Sequence, residues 1–393
     1  MYYGVPDPAL SWIKGFLTDR RQRVLVNGEE SEWHPVISGI PQGSVLGPVL
    51  FVIFINTMVE KDTESDIFLF ADDAKASKVL FQESDTDVLQ ADLNSMVAWS
   101  DDSFLQFHPG KCKSMRISGR VVCDFKHEYY MKGNLLEHSN EEKDLGVIID
   151  SKLSFDQHIT AKVKKGNSMA GLIRRSFEYM DKTMFKQLFT SMVRPHLEYA
   201  APVWNPYLQR HIIALENVQR RATKMVPGLG DKSYMERLRA LKLPTLAYRR
   251  YRGDMIEMFK LTHGLYDEDV VEGFLELQPS RSRGHPYSVY KRGFDKSLDL
   301  RMYSFKPRVT EQWNNLPKEV VMATNINTFK NRLAKLWSGS DVYYNHKTNV
   351  LKTTSARSVR RAHVNTDDAD NIYRSDVRGL TGSQIRRGLC RTM

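Results

Sequence analysis

Cysteine is scarce in this chain of 393 residues, and its positions exclude two kinds of architecture. Cys112, Cys123 and Cys390 are widely spaced and form no CxxC pair. A disulfide framework or a structural zinc site needs more cysteines at closer spacing. The cysteine pattern therefore indicates a reducing, intracellular compartment.

Long apolar runs are missing as well. The most apolar stretch, VLFVIFI at 49–55, is far shorter than the roughly 20 residues of a membrane-spanning helix. The first residues, MYYGVPDPALSWIKGF, contain no apolar core of the kind that a signal peptide has. We therefore expect no membrane partner from these segments.

Acidic residues are outnumbered by basic ones. The chain has 57 Lys and Arg against 47 Asp and Glu, for a net charge of +10 and a pI of about 9.3. This excess favours a polyanionic partner, either nucleic acid or an anionic membrane. A soluble protein with a basic surface is the alternative that charge alone leaves open. Hydrophobic residues make up 41% of the chain, which is typical of a globular protein of two or three domains.

The first 150 residues mix short strands with helices, which predicts an α+β fold. Asn27–Gly28 is a strong turn signal and predicts a hairpin between 22–26 and a partner around 33–37. Periodicity and turn residues predict the following further elements: a helix at 8–18, a Gly/Pro-rich loop and apolar helix at 38–58, a hairpin at 67–80, a helix at about 86–100 and strands at 104–107 and 113–117.

Helices dominate after Asp150. In the segment 158–180, one helical face carries Ile159, Val163, Ala170, Ile173 and Phe177, while Lys164 and Arg175 lie opposite. Further helices are predicted at about 183–193, 208–224 and 232–261, and another is entered through Pro317. The tail at 352–393 is polar and is expected to be disordered.

The stretch SDIFLFADDAKAS at 65–77 is unusual because an apolar strand ends in two adjacent carboxylates, Asp72 and Asp73. Ile67, Leu69 and Ala71 would lie on one face, and Phe68 and Phe70 on the other. An apolar pattern on both faces predicts an interior strand of a covered sheet, with the Asp pair as its turn. Such a rigid turn can hold Mg²⁺, which prefers hard oxygen ligands. The simpler interpretation is a solvated turn rich in Asp.

A second unusual stretch is SGIPQGSVLGP at 38–48, where several glycines and prolines surround Gln42 and Ser44. Glycine permits a close approach of a ligand or of another backbone. The following helix could direct free N–H groups at a phosphate. An irregular loop with a helix cap is the alternative. The stretch matches neither a Walker A nor a dinucleotide-binding pattern.

Four motifs occur in one order: SGIPQGSVLGP, FADD, LQFHPGKC at 105–112 and LGVIID at 145–150. This order and spacing resemble the reverse transcriptase domain of non-LTR retrotransposons of the LINE-like, jockey-like kind. The resemblance runs from about Gly4 to Ala222. The stretch WNNLPKEVV…FKNRL at 313–333 looks like the C-terminal segment of the same family.

The resemblance implies roles for individual residues of the polymerase palm. Asp72 would ligate the catalytic metal ions, and Asp73 would assist. Lys111 stands where the family has a lysine thought to protonate the leaving pyrophosphate, although a surface lysine in a turn is equally compatible with the pattern. The loop residues expected to support the template and the incoming nucleotide are Gly39, Pro41, Gln42, Gly43 and Ser44.

Further roles concern the nucleic-acid strands. By the resemblance, Leu145 and Gly146 lie in the hairpin that grips the primer end. The basic helices that follow would be the thumb, with Lys164, Arg174 and Arg175 contacting phosphates. The resemblance also implies Mg²⁺ or Mn²⁺, two ions in the complete site, together with an RNA template, a DNA primer and dNTPs. A protein of this kind would reside in the nucleus or in a cytoplasmic ribonucleoprotein.

One element of the family is not found in this sequence. The family's palm has a further catalytic Asp in a pattern like FxDFxKAFD, which would lie before Tyr2. We therefore expect a partial palm at 1–150, a helical basic thumb at 151–262 and a mixed C-terminal region at 263–351, with little or no polymerase activity of this chain alone. Two alternatives remain open: a non-catalytic nucleic-acid-binding protein derived from such an element, and, less favoured, another palm-type enzyme such as a nucleotide cyclase.

Overall fold

A computed structural model describes residues 4–59, 63–118, 127–271, 273–278, 284–290, 303–338 and 341–347. The chain divides into two compact units, here called unit 1, up to Ser139, and unit 2, from Asn140. Helices and small, mostly antiparallel sheets make this an α+β protein, as the sequence predicts. The tail predicted to be disordered lies outside the described residues. None of the described helices combines the length and the apolar character that a membrane span requires.

Unit 1 contains three α-helices among its described residues, with short strands between them. The helices are α1 (Asp7–Leu17), α2 (Leu46–Asn56) and α3 (Ser84–Asp102). The strands are β1 (Arg21–Gln22), β2 (Leu25–Val26), β3 (Glu29–Glu30), β4 (His34–Pro35), β5 (Asp66–Phe70), β6 (Asp73–Ser77), β7 (Lys113–Ser114), β8 (Tyr130–Met131), β9 (Asn134–Leu135) and β10 (Glu137–His138).

The predicted turn at Asn27–Gly28 is present, with both residues in the left-handed region. This is the conformation that a two-residue hairpin turn requires, and Asn-Gly adopts it at little cost. The turn joins β2 directly to β3, while β1 pairs antiparallel with β4, in agreement with the predicted partner around 33–37.

The β5–β6 hairpin and α2 share a small core with α3. Ile67 and Leu69 of β5 pack with Phe51 and Ile55 of α2 against Trp99. The opposite face of β5 is exposed, and in the described residues the hairpin has only two strands. The expectation of an interior strand in a covered sheet is therefore wrong for this structure.

The predicted strand at 104–107 is also wrong. Phe104 has a φ of 55°, and the Ser100 hydroxyl donates to the Leu105 carbonyl and accepts from the Phe107 amide. This side chain supplies the hydrogen bonds that a strand partner would otherwise make. The segment is therefore a loop fixed to the end of α3, and the second predicted strand is reduced to β7.

Unit 2 begins with a hairpin and is otherwise mostly helical. The hairpin strands are β11 (Glu141–Asp144) and β12 (Val147–Asp150). The helices are α4 (Asp156–Ser176), α5 (Lys182–Leu188), α6 (Arg194–Glu198), α7 (Ala201–Trp204), α8 (Gln209–Ala222), α9 (Tyr234–Leu241), α10 (Leu246–Thr262), α11 (Glu268–Val271), α12 (Phe305–Asn314), α13 (Lys318–Val321) and α14 (Ile326–Trp337), and a π-helical turn at Phe189–Val193 joins α5 to α6.

The predicted face of α4 is largely confirmed. Ile159, Ala170 and Ile173 are buried, whereas Lys164 and Arg175 are exposed. The helix predicted at 232–261 is instead two helices. Lys242 ends α9 in the left-handed region, and the Thr245 hydroxyl caps α10 by accepting from the Tyr248 amide.

Two large apolar cores hold unit 2 together. The first joins α4, α5, α8 and α9 around side chains such as Phe185, Leu197 and Trp204. The second joins α10, α12 and α14 around Trp313 and Phe329. Fully burying one such aromatic side chain contributes roughly 1.5–3 kcal/mol, so these cores dominate the stability of the unit.

The motif WNNLP, part of the suspected C-terminal segment, has a structural role here. The Trp313 indole donates to the Tyr287 carbonyl at 2.8 Å, and His285 hydrogen-bonds the Trp313 carbonyl at 2.9 Å. The Asn314 amide accepts from the Val289 N–H and donates to the Val289 carbonyl, each at 2.9 Å. Asn314 thus imitates a strand partner and fixes the segment 284–290 to α12.

Candidate functional site

The Asp pair lies at the tip of the β5–β6 hairpin, and both carboxylates are exposed. Phe70 pairs with Asp73 across the hairpin, so the two-residue turn consists of Ala71 and Asp72. The prediction that the Asp pair itself forms the turn is therefore wrong by one residue. Asp73 is the first residue of β6, and the ladder fixes its backbone.

Ala71 has a φ of 52°, in the left-handed region that favours glycine. An L-residue in this conformation costs about 1–2 kcal/mol, because its Cβ approaches the following carbonyl oxygen. Backbone strain of this kind is concentrated at functional sites, where the surrounding structure maintains it. Ala71, directly before the two carboxylates, is one of ten described non-glycine residues with a positive φ.

The described residues contain no group of three or more His, Cys, Asp or Glu side chains that could hold a metal ion. Asp72 and Asp73 could contribute hard oxygen ligands, which suit Mg²⁺ or Mn²⁺. Any metal bound at this turn would take its remaining ligands from water or from phosphate oxygens.

Ser44 in the predicted nucleotide loop is a helix cap. Its hydroxyl donates to the Pro41 carbonyl at 2.8 Å and accepts from the Gly47 amide at 3.0 Å. Gly47 is buried, and a Cβ there would approach the Ser44 oxygen to 2.9 Å. The capping interpretation thus explains Ser44, Gly47 and the carbonyl of Pro41 without a ligand.

The other predicted loop residues are open to solvent. Gly39 and Gly43 have φ values of 80° and 84°, and no atom lies within 4 Å of the position a Cβ would take. Gln42 is exposed between them. The Arg20 guanidinium donates to the Gly39 carbonyl and so fixes the start of the loop. Backbone and an amide side chain are therefore accessible here.

Lys111 ends a short 3-10 helix, Pro109–Lys111, and its side chain is exposed. Its backbone N–H donates to the His108 carbonyl at 2.9 Å. Phe107 packs against the same small core as α2 and the β5–β6 hairpin. The loop 38–48, the Asp turn and Lys111 therefore all project from elements that share one core in unit 1.

The remaining predicted residues belong to unit 2. Leu145 and Gly146 form the turn of the β11–β12 hairpin, with φ values of 43° and 84°. Lys164, Arg174 and Arg175 lie exposed on α4. The structure thus places the predicted metal, loop and lysine residues in unit 1, and the residues predicted to contact the primer and phosphates in unit 2.

Sequence reasoning missed two residues that support these groups. Asp92 on α3 is buried and accepts from the amides of Ser65, at 2.8 Å, and Glu64, at 3.2 Å, where β5 begins. His158 on α4 is fully buried, and its Nδ1 accepts from the Ile148 amide of β12 at 3.0 Å. A polar residue within an apolar helix face was the only signal in the sequence for either.

Burial, with a smaller contribution from Lys162, lowers the pKa of His158 to about 4. His158 is therefore neutral at pH 7. Its ring also packs against Trp204, with the ring centroids 5.1 Å apart. The β11–β12 hairpin is thus anchored to α4 by a neutral histidine that cannot be charged without cost.

Comparison with known proteins identifies the class of this domain. Residues 2–156 match the family model described as "Reverse transcriptase (RNA-dependent DNA polymerase)". No solved structure matches the chain. The matched region contains the loop 38–48, the Asp turn, Lys111 and the β11–β12 hairpin, in agreement with the order of motifs. Residues 2–156 are therefore a reverse transcriptase domain.

Its relatives specify the kind of reverse transcriptase. The chain is 28% identical over 268 residues to the "RNA-directed DNA polymerase from mobile element jockey" of Drosophila melanogaster, covering 58% of this chain and 28% of that protein. It is 28% identical over 232 residues to the jockey protein of Drosophila funebris, covering 55% and 25%. It is 26% identical over 241 residues to the "Probable RNA-directed DNA polymerase from transposon X-element" of Drosophila melanogaster, covering 57% and 25%. The domain is thus of the non-LTR, LINE-like retrotransposon type, and the chain spans about a quarter of the length of these relatives.

Proposed function

We propose that this chain is the palm and thumb portion of a retrotransposon RNA-directed DNA polymerase, which joins nucleotides with the help of divalent metal ions. Unit 1 contributes the metal-holding turn and the nucleotide loop. Unit 2 contributes the primer grip and a basic thumb. The substrates are an RNA template, a DNA primer and dNTPs.

The observation that carries this proposal is the shared core of unit 1. Phe51 and Ile55 follow the loop 38–48 on α2, and Ile67 and Leu69 precede the Asp turn on β5. These side chains pack together, so the two motifs are parts of one small structure. The interpretation of the Asp pair as a simple solvated turn does not predict that its strand packs with the helix that follows the glycine-rich loop.

The donor chemistry of the turn supports a divalent metal. Asp72 and Asp73 would hold the ion, and the ion would neutralise phosphate charge during nucleotide transfer. Gln42 and the backbone at Gly43 would contact the incoming nucleotide. Lys111 would supply a positive charge and a proton near the departing pyrophosphate.

A local cleavage experiment tests the metal site without relying on catalysis. Fe²⁺ bound in place of Mg²⁺ generates hydroxyl radicals that cut the nearby backbone. We expect ascorbate-dependent cuts close to residues 70–74 in the wild type, suppressed by excess Mg²⁺ and absent in Asp72→Asn/Asp73→Asn. The matched control is Asp101→Asn/Asp102→Asn, a second exposed Asp pair in unit 1, which should cut like the wild type.

Polymerase activity of the 393 residues alone should be weak or undetectable. The described residues place two carboxylates at the turn and no third acidic group beside them. Two-metal catalysis depends on anionic ligands that hold both ions, so fewer ligands mean weaker metal binding. Primer extension on an RNA template with Mg²⁺ or Mn²⁺ tests this, and clear extension by the wild type would contradict it.

The small number of carboxylates also favours a second candidate function. A chain that binds nucleic acid without catalysis would retain the basic helices of unit 2 and dispense with the metal. Both candidates predict salt-sensitive binding to RNA–DNA hybrid or to single strands. They differ in the Fe²⁺ experiment, because the binding-only protein has no use for a metal at residues 70–74.

A further inference from the structure

Arg20 lies where the chain leaves α1 and enters the β1–β4 strand pair. Asp19 has a φ of 51°, and this left-handed conformation turns the chain out of the helix. The Arg20 guanidinium reaches back, and its Nε donates to the Leu17 carbonyl at 3.0 Å. That carbonyl lies in the last turn of α1, where the helix itself offers no amide donor. A cation at this end of a helix also complements the helix dipole.

The same guanidinium holds the beginning of the nucleotide loop, residues 38–48. Its Nη2 donates to the Gly39 carbonyl and lies 3.5 Å from the Ser38 carbonyl oxygen. The backbone of Arg20 contributes as well, because its carbonyl accepts from the Val36 amide at 2.8 Å. Arg20 therefore joins the end of α1 to the returning chain through both its backbone and its side chain.

No apolar core holds this part of unit 1. In the stretch 18–39, all of which the structure describes, no residue is buried, and α1 buries none of its own residues. Among the described residues Arg20 forms no ion pair, so its charge is directed at carbonyl oxygens. Hydrogen bonds from a charged donor are stronger than those between neutral groups. The position of the loop relative to α1 therefore depends mainly on Arg20.

A helix cap fixes the other end of the loop. The Ser44 hydroxyl bonds the Pro41 carbonyl and the Gly47 amide, and the Ser44 amide donates to the Pro41 carbonyl at 3.3 Å. This last bond closes a β-turn with Gln42 and Gly43 at its centre, and Gly43 has the positive φ of the third residue in a type II turn. The turn that carries the exposed Gln42 is thus held by an arginine on one side and by the cap on the other.

Arginine suits this contact in a way that lysine does not. Nε and Nη2 of Arg20 reach two different parts of the chain at once, the end of α1 and the loop. A lysine ammonium carries the same charge on a single nitrogen and lacks the rigid fork of the guanidinium. The substitution Arg20→Lys therefore separates the effect of the geometry from the effect of the charge.

We propose that Arg20 is a positioning residue for nucleotide binding. By fixing the start of the loop to α1, it sets the place from which Gln42 and the Gly43 backbone contact the incoming dNTP. This inference rests on the proposed function and concerns a residue outside the four motifs. Arg20 acts through the loop and needs no contact of its own with the nucleotide.

Fluorescence anisotropy of mant-dATP, a fluorescent dNTP, measured with an RNA template, a DNA primer and Mn²⁺, tests the effect on nucleotide binding. Arg20→Met should weaken binding by about tenfold, because the loop loses its charged hydrogen bonds. Arg20→Lys should weaken it by at least about threefold, although the charge is kept. The matched control is Arg21→Met, which removes the same charge from the next, exposed residue and should leave the affinity unchanged.

A double-mutant cycle with Gln42→Ala shows whether Arg20 acts through the loop. Once the Gln42 side chain is removed, its placement no longer matters. Arg20→Met should therefore weaken binding less in the Gln42→Ala background than in the wild type. A residue that only stabilised the fold would give the same loss in both backgrounds. Thermal melts of every variant report whether the fold is retained.

Hydrogen exchange without nucleotide measures the effect on the loop itself. Peptides covering 36–47 should exchange faster in Arg20→Met, because the Val36 and Ser44 amides lie in the segment that loses its support. Peptides from α3 should be unchanged, and Arg21→Met should exchange like the wild type.

The outcomes separate this inference from the proposed function. Faster exchange in Arg20→Met with unchanged affinity for mant-dATP would overturn the inference and leave the proposed function standing. Wild-type affinity in Arg20→Lys, or an equal loss in both backgrounds of the cycle, would also overturn the inference. If the wild type binds no mant-dATP although Fe²⁺ cuts near residues 70–74, the loop is not a nucleotide site, and the inference fails while the metal site stands. If the wild type shows neither, the inference and the proposed function fail together.

Discussion

The two compact units differ in how they are held together. In the described residues, the unit 1 core has four fully buried apolar side chains, Ile55, Met58, Met96 and Trp99, and α1 buries none of its residues. Unit 2 encloses two cores rich in aromatic rings. Each unit must offset the conformational entropy of its own chain, so the smaller core leaves less net stability.

Charge is distributed differently as well. Unit 2 buries charged side chains, such as Glu216, Arg250 and Asp254, within its helices. Among its described charged side chains unit 1 buries only Asp92, and it keeps its candidate catalytic carboxylates exposed together with the apolar Phe68 and Phe70. Under the proposed function, the metal-holding motif would belong to unit 1, which has the smaller core, and the nucleic-acid contacts to unit 2, which has the larger cores. The predictions below test that contrast.

The largest expected effect comes from breaking the buried ion pair of unit 2. Arg308 donates to Asp254 at 3.0 and 3.1 Å, and Asp254 is 1% exposed. Arg308→Met should remove the cation that hydrogen-bonds the buried carboxylate, while the nearby Arg250 acts on it only through its charge. We expect this to destabilise unit 2 by about 3–5 kcal/mol. Urea denaturation followed by hydrogen exchange of unit 2 peptides measures this loss.

The double variant Arg308→Met/Asp254→Leu is the control for that experiment. It removes both charges, so it should be more stable than the single variant. If Arg308→Met destabilised unit 1 as much as unit 2, the two units would not unfold separately, and the contrast drawn above would be wrong.

A smaller effect should appear as the pH falls. The pKa of His158 is about 4 in the folded chain, below the ordinary value of 6.5, so protonation favours the unfolded chain. The corresponding stability is complete above pH 6.5 and is lost as the pH falls from 6.5 to 4. The loss should reach about 3 kcal/mol in unit 2.

His158→Asn keeps an acceptor near the Ile148 amide and removes this titration. Burial also lowers the pKa values of His263 and His285, which therefore contribute to the pH dependence in the same direction. The relevant measurement is thus the difference between wild type and variant in unfolding free energy across pH 4–7. Parallel curves for the two proteins would contradict the assignment.

Local signals in the sequence predicted much of the fold. The Asn27–Gly28 turn, the apolar helix α2 and the buried face of α4 each depend on residues close together in the chain. The errors arose where one residue, through its side chain or its backbone conformation, overrode the local pattern. The Ser100 hydroxyl replaces strand pairing at 104–107, and Lys242 adopts a left-handed conformation that divides the helix predicted at 232–261.

The candidate site was predictable only in part. The Asp pair and the 38–48 loop could be found because several motifs recur in one order. The hydrogen bond from the Tyr199 hydroxyl to the Leu145 carbonyl joins residues 54 positions apart, and nothing in a single sequence pairs them. Arg308 and Asp254 are also 54 positions apart, so their ion pair is not evident from the sequence either. Long-range pairs of this kind require the folded structure.

The third effect belongs to unit 1. Asp92 accepts hydrogen bonds from two backbone amides at the start of β5, and Asp92→Asn would replace one accepting oxygen by a donor group. We expect a loss of about 1–3 kcal/mol, confined to unit 1. Hydrogen exchange should rise in peptides covering 63–77 and remain unchanged in peptides from α8 and α10.

Asp87→Asn serves as the control for Asp92→Asn, because Asp87 is exposed on the same helix. Asp87→Asn should change the hydrogen exchange of the unit 1 peptides little. Faster exchange in unit 2 peptides of the Asp92 variant would contradict the prediction that the loss is confined to unit 1.

The smallest effect concerns the strain at Ala71. Glycine carries no penalty at a φ of 52°, so Ala71→Gly should stabilise the hairpin, offset in part by the greater freedom of glycine in the unfolded chain. The net gain should be at most about 1 kcal/mol. Ala76→Gly, in the extended part of β6, should have the opposite sign, because glycine there only adds entropy and loses packing.

Ala71→Gly would bear on function if the substitution also broadened the Fe²⁺ cleavage pattern around residues 70–74. Alanine restricts the turn more than glycine does, and a restricted turn holds the Asp72 backbone in one place. Narrow cleavage in the wild type and diffuse cleavage in Ala71→Gly would indicate that the weaker unit tolerates strain in order to fix its metal ligands. Identical patterns would leave the strained conformation as a property of the hairpin alone.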